Sequence, residues 1–290
     1  MFEGSYVALV TPFRDGKVDY EAVERLIEFH VENGTAGLVP AGTTGESPTL
    51  SVREHMEFIE FVAKTSAGRL PVIAGTGANS TSEAIELTIA AAKAGADASL
   101  QVSPYYNKPE PEGMFRHFKA IADAAKLPMI LYNVPGRTGR EIAVETICRL
   151  ADACKEVVAL KAADASTHSV TMVRMKTGLD ILSGDDSMTL PFMACGANGV
   201  ISVVANFVPR DVADMVGAAL AGDYRDALER HLKLYPLFRA AFVETNPIPV
   251  KTAMEMLSLC GGEVRLPLSP IQEGGRKVLE KALRDYGLLK

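Results

Sequence analysis

Lys161 is the residue whose placement says most about chemistry. It closes the apolar run Val157-Val158-Ala159-Leu160, so at the end of a buried strand its ammonium would project into an apolar surround. Burial disfavours the charged form and leaves a free amine able to attack a carbonyl. The alternative is a lysine whose stem lies on the core while its head reaches water. Gly42-Thr43-Thr44-Gly45-Glu46 combines two hydroxyls with glycine-freed amides, which suits a nest for a carboxylate and equally an ordinary strand-to-helix turn. It lacks the Gly-Lys-Ser/Thr ending of a phosphate-binding P-loop. Tyr105, Tyr106 and Tyr132 follow apolar runs, where phenols relay protons or aromatics simply pack. Arg137 stands in a loop stiffened by Pro135, Gly136 and Gly139, and a rigidly mounted guanidinium binds a carboxylate through two parallel bonds. Gly75-Thr76-Gly77-Ala78-Asn79-Ser80 mimics a dinucleotide fingerprint. Its third glycine is missing and it lies in the third unit of the chain, so nicotinamide binding is not expected.

Eight short apolar runs must carry these residues: 6–10, 36–40, 71–74, 98–102, 128–132, 157–160, 179–182 and 200–204. Most are separated by segments of helical period. Asp19 is placed to cap a helix with Ala22, Val23, Leu26 and Ile27 on one face. Ser51–Glu54 and Ser80–Glu83 read as capping boxes, and Pro209 suits the first turn of a later helix. Near-continuous apolar strands alternating with helices indicate a parallel sheet buried on both faces, and eight strands close a (β/α)8 TIM barrel. An open doubly wound sheet is the second architecture compatible with the pattern. From Tyr224 the strand signals stop, and helices are predicted over 224–242, 249–259 and 271–286. The expected organisation is therefore a catalytic barrel over 1–223 with a small helical C-terminal extension over 224–290. In such a barrel the chemistry sits just beyond the carboxyl ends of the strands. Hydroxyls, glycines, tyrosines and Lys161 converge there, with no Cys or His, so a hydrolase triad has no materials.

Composition narrows the class further. The 290 residues hold 30 Lys and Arg against 36 Asp and Glu, a formal charge of −6, which argues against a nucleic-acid binder. At 48% hydrophobic residues the chain reads as globular, and no apolar run approaches the roughly 18 residues of a membrane span. Residues 1–13 lack the basic start of a signal peptide, so a cytoplasmic protein is expected. Cys148, Cys154, Cys195 and Cys260 show no paired spacing and are expected as reduced thiols buried as small hydrophobes. The five dispersed histidines offer no zinc motif, so neither metal nor cofactor is expected.

Six motifs in order, Gly42-Thr43-Thr44-Gly45-Glu46-Ser47, the segment 102–109, the segment 132–139, Ser183-Gly184-Asp185-Asp186, Gly199-Val200-Ile201-Ser202 and Asn246-Pro247-Ile248-Pro249-Val250-Lys251, resemble the dihydrodipicolinate synthase family of pyruvate-dependent class I aldolases. The resemblance runs from Phe2 to Leu289. It implies that Lys161 forms an imine with pyruvate, that Thr44 grips the pyruvate carboxylate, and that Tyr132, Thr43 and Tyr106 relay protons, Tyr106 coming from a neighbouring subunit. It implies further that Arg137 binds the carboxylate of aspartate semialdehyde, with Gly184 and Asp185 near it, that Ile201 floors the pyruvate pocket, and that Asn246 lies close by. A homotetramer, and feedback inhibition by lysine at Ser47, His55, Asn79, Glu83 and Tyr105, belong to the same resemblance. The related sugar-acid lyases of the N-acetylneuraminate lyase type share the lysine and tyrosine. Arg137 favours a carboxylate-bearing aldehyde over their polyol substrates. One position departs from the family: Ala162 follows the lysine where an acidic residue is usual. A charge lost beside the amine is expected to alter its local field, and a catalytically retired barrel has that departure as its sole support.

Overall fold

The computed structural model describes residues 2–290. Strands Gly4–Ala8, Gly37–Val39, Ile73–Gly75, Ala98–Val102, Met129–Asn133, Val157–Ala162, Asp180–Ser183 and Gly199–Ser202 each overlap one of the eight apolar runs. Every neighbouring pair is parallel, the eighth strand pairs with the first, and a bridge between Leu38 and Val72 joins the second to the third. The sheet therefore closes into a barrel, which eliminates the open alternative.

Alternation along each strand splits the core in two. Tyr6, Ala8, Val39, Ile73, Ala98, Leu100, Ile130, Tyr132, Ala159, Leu182 and Ile201 fill the barrel interior. Val7, Leu38, Leu131, Leu160, Ala162, Ile181 and Val200 face the surrounding helices. Because side chains alternate with period two, Lys161 shares the inward face of Ala159. It pairs in register with Tyr132 on the adjacent strand, so both side chains stand at one height inside the barrel mouth.

Local signals start the helices that follow these strands. The Asp19 carboxylate accepts from the Ala22 amide at 3.1 Å. Ser51 and Glu54 form both bonds of a capping box. At Ser80 only half of the expected box forms: its hydroxyl accepts from the Glu83 amide, while the Glu83 carboxylate lines a cavity instead. Helices Tyr224–Ala240, Ile248–Met256 and Glu273–Tyr286 follow the eighth unit. A short hairpin, Phe13–Arg14 with Lys17–Val18, went unread in the sequence although Asp15-Gly16 with both φ positive is a strong turn signal. All four cysteines are free thiols. Cys154 alone is buried, and the other three are half-buried, so the expectation of four buried thiols is corrected. No helix among the described residues is long and apolar enough to cross a membrane.

Candidate active site

A cavity of about 150 Å³ opens at the carboxyl ends of the strands, room for a small metabolite rather than a nucleotide. Lys161, Tyr132, Thr43, Thr44, Arg137, Gly184, Asp185 and Asn246 all line it. Ile201 lies deeper, 1% exposed within the interior cluster beside Leu182, and does not line the cavity. Tyr106 is 90% exposed with φ +71 and lies away from it.

Burial sets the state of Lys161. Desolvation lowers its pKa most, Asp186 pulls it back up and the nearby Arg137 guanidinium pushes it down, for a net value of about 7. A large share of the amine is then free near neutrality, which nucleophilic attack on a carbonyl requires. The Nζ atom lies 4.2 Å from the centroid of the Tyr132 ring. A Cβ added at Gly184 would approach the Lys161 Cε to 3.0 Å, so this glycine gives the lysine stem its path. Burial raises the Tyr132 phenol above its ordinary value, against the lowering pull of Arg137 and of the Thr43 hydroxyl.

The Thr44 hydroxyl accepts a bond from the Asn246 side-chain amide at 2.9 Å, which leaves its own proton to donate to a ligand. Arg137 occupies a short helical turn, Pro135–Thr138, anchored by the buried Thr138 hydroxyl, which donates to the Arg140 carbonyl at 2.8 Å. Its guanidinium donates to the Asn246 carbonyl at 3.2 Å. Asn246, from the C-terminal segment, thus braces both Thr44 and Arg137. Asp185 lines the cavity, but one of its carboxylate oxygens accepts from the Ser187 amide and hydroxyl and caps its own turn.

Asp186 is a site residue that its motif contained but sequence reasoning passed over. It is buried, accepts from the Ser202 hydroxyl and from the Val203 amide at 2.9 Å, and burial raises its pKa to about 6. The signal available was two adjacent acids at a strand end, only one of which can face solvent. Ala162 also needs correction. Its side chain faces the helices on the opposite side of the strand from Lys161 and is 1% exposed in an apolar layer. The carboxylate that acts on the amine is that of Asp186. Asp164, two residues on, accepts from the Asn133 side-chain amide and the Ser166 amide and orders the loop.

A second cavity, about 360 Å³, adjoins the first and shares Thr43, Val134 and Arg137 with it. Ser47, His55, Glu83 and Tyr105 line it. Asn79 stands behind the lining, donating to the Tyr105 carbonyl at 3.2 Å. The His55 Nε2–H donates to the Gly75 carbonyl at 2.7 Å, and burial lowers its pKa, so the ring is neutral. Gly75 and Gly77 serve close packing: a Cβ on either would come within 2.3 Å of the Ala41 carbonyl oxygen or the Val102 nitrogen. That accounts for the dinucleotide-like spacing without a dinucleotide. Among the described residues no group of three or more His, Cys, Asp or Glu side chains is arranged to hold a metal ion.

Comparison with known proteins agrees with this fold. A model described as the dihydrodipicolinate synthetase family matches residues 1–286. A 4-hydroxy-tetrahydrodipicolinate synthase from Pelobacter propionicus is 53% identical over 291 residues, with both chains fully covered. A crystal structure described as chloride-inhibited dihydrodipicolinate synthase from Acinetobacter baumannii complexed with pyruvate superposes with a TM-score of 0.97 at 45% identity, each chain covered in full. One from Cyanidioschyzon merolae, described with lysine bound, gives 0.97 at 43% identity over 99% of each chain. With a family model over residues 1–286, a matching fold and full-length relatives at this identity, the chain belongs to the dihydrodipicolinate synthetase family.

Proposed function

We propose that this protein condenses pyruvate with L-aspartate 4-semialdehyde to give 4-hydroxy-tetrahydrodipicolinate, in the diaminopimelate route to lysine, with Lys161 as the Schiff-base residue. The observation that carries the reading is a buried amine, its pKa lowered to about 7 at a strand end, in a cavity of about 150 Å³ also lined by Thr43, Thr44 and Arg137. The Lys161 Nζ attacks the ketone carbon of pyruvate and one water leaves as the imine forms. The methyl group then loses a proton and the enamine results. Its terminal carbon attacks the aldehyde, forming the new carbon–carbon bond, and the resulting alkoxide takes up a proton. The amino group of the second substrate attacks the imine carbon, closes the ring and returns the lysine amine. One water is released overall.

Thr44 donates its free hydroxyl proton to the pyruvate carboxylate, and Ile201 packs beneath the pocket. Tyr132 and Thr43 carry protons to and from the imine and the alkoxide. Arg137, exposed at the cavity mouth, takes the carboxylate of the second substrate, with Gly184 and Asp185 beside it. Tyr106, fully exposed on a left-handed backbone, completes the relay in a second copy of the chain, which makes a dimer the smallest active unit and a homotetramer the expected assembly. The larger cavity takes lysine as a feedback inhibitor, its ammonium toward Glu83 and its other groups toward Ser47, His55, Asn79 and Tyr105. A biosynthetic enzyme of small soluble metabolites with no membrane-crossing helix among its described residues is assigned to the cytoplasm.

The test is turnover of pyruvate with aspartate semialdehyde, followed by coupled reduction of the product. Sustained turnover is expected. An enzyme that traps pyruvate under borohydride yet turns over only keto-acid sugars would overturn the substrate assignment in favour of a sugar-acid lyase.

A further inference from the structure

The turn 42–46 that presents Thr43 and Thr44 is held from outside the barrel by an ion pair that the reaction above does not use. Lys251, on helix Ile248–Met256, is fully buried. Its Nζ donates to Glu46 Oε1 at 2.6 Å and to the Thr11 carbonyl at 2.9 Å, and lies 4.2 Å from the centroid of the Phe13 ring. The second Glu46 oxygen accepts from the Arg265 amide at 3.0 Å. The Arg265 guanidinium continues outward to the Thr49 carbonyl, the Gly16 carbonyl and both oxygens of Glu54. Glu46 is 2% exposed and has φ +54, a left-handed conformation that is uncommon for residues with a Cβ and carries a backbone cost. Its amide donates to the Thr43 carbonyl at 3.1 Å. The residue under backbone strain and the residues that face the cavity are therefore parts of one turn.

We propose that Glu46 and Lys251 are positioning residues, an ion pair through which the C-terminal helices hold Thr43 and Thr44 in the register that a substrate carboxylate requires. The physical argument is one of direction. Replacing a buried ion pair by apolar side chains of similar volume is often neutral for stability, so folding alone does not call for these charges here. Apolar packing, however, cannot orient a turn as two bonds from one ammonium and two carboxylate oxygens bonded on opposite sides can. Misplacement of binding groups by about 1 Å costs on the order of 10²-fold in rate. The proposal rests on the reading of the Lys161 cavity as a pyruvate site.

Its test replaces both charges at once, as Glu46→Met with Lys251→Met. We expect the melting temperature to stay within about 5 °C of the parent, a shift that corresponds to a small change in stability for a chain of this size. Hydrogen exchange at the amides of 42–47, measured without ligand, should be faster by about 10-fold or more. The KM for pyruvate should rise by about 10-fold or more while that for the aldehyde changes far less. Unchanged exchange and unchanged pyruvate KM in a folded variant would overturn the proposal and leave the pair as mere filling. Should the double methionine variant fail to fold, Glu46→Gln with Lys251→Met, which keeps a neutral acceptor for the Arg265 amide, is read by the same two measures. Exchange decides the positioning role whether or not pyruvate is the substrate, and borohydride trapping of pyruvate on the parent enzyme decides the substrate separately.

Discussion

The two cavities at the barrel mouth share Thr43, Val134 and Arg137, yet they are made from different parts of the chain. The smaller one takes its reactive groups from strands. Tyr132 and Lys161 are register partners on neighbouring strands, each 6% exposed, and their positions are fixed by the barrel's own hydrogen bonds. The larger one is made of turns and first helical turns: Ser47 on a short helical turn, Glu83 beside its cap, Tyr105 on a loop, with Val52 half exposed at 52%. Burial on rigid strands is what lowers the Lys161 pKa, because desolvation there has no escape through side-chain motion. The loop-built cavity perturbs its groups less and suits reversible binding. Arg137 and Thr43 stand in both walls, so a ligand in the larger cavity bears directly on two groups of the smaller.

That contrast can be broken most decisively at Lys161. The Lys161→Ala variant should lose borohydride trapping of pyruvate entirely and lose turnover by at least about 10³-fold; mass mapping that finds the adduct on another lysine would end the assignment. Next in size is Tyr132→Phe, expected to lower kcat by about 10²- to 10³-fold with little change in pyruvate KM, since the ring stays and only the proton carrier goes. A steady-state comparison with a KM effect alone would make Tyr132 a packing residue.

The electrostatic side of the contrast is sharpened by pH. Imine formation should rise with pH through a midpoint near 7, as the Lys161 ammonium gives up its proton. Asp186 favours the charged form of that amine. The Asp186→Asn variant should therefore move the midpoint to lower pH, and a rise or no movement in single-turnover pH profiles would show that Asp186 does not act on Lys161. The smallest effect belongs to the loop-built cavity. Glu83 is exposed, and an exposed ion pair contributes about 1 kcal/mol or less. Glu83→Gln should raise the half-inhibiting lysine concentration by only about three- to fivefold. A loss of 100-fold would mean that this cavity closes around its ligand far more than its present shape suggests.

Residues whose placement follows from their own segment were legible in advance. Lys161 closes an apolar run, Asp19 and Ser51 cap helices, and Arg137 sits on a Pro/Gly mount, all local facts of the chain. Roles that depend on a distant partner were not. Ala162 read as a lost charge beside the amine until strand alternation turned it to the far face. Asp186 acquired its influence on Lys161 from burial against Ser202 and Val203. Glu83 reads both as half of a capping box and, by the family resemblance, as part of a lysine site; the fold leaves the box half formed and sets Glu83 in the lining of the larger cavity.

From sequence alone, periodicity and turn chemistry determined eight strand–helix units, a helical C-terminal segment and a lysine at a strand end, because each depends on residues within a few positions of one another. Only the tertiary structure decided that strands two and three join, that Asn246 braces Thr44 across 202 residues, and that Lys251 meets Glu46 across 205. The last two contacts exist because the fold brings the C-terminal helices back to the turn that follows the second strand. The burial that lowers the Lys161 pKa is a property of the closed barrel mouth and of no segment by itself.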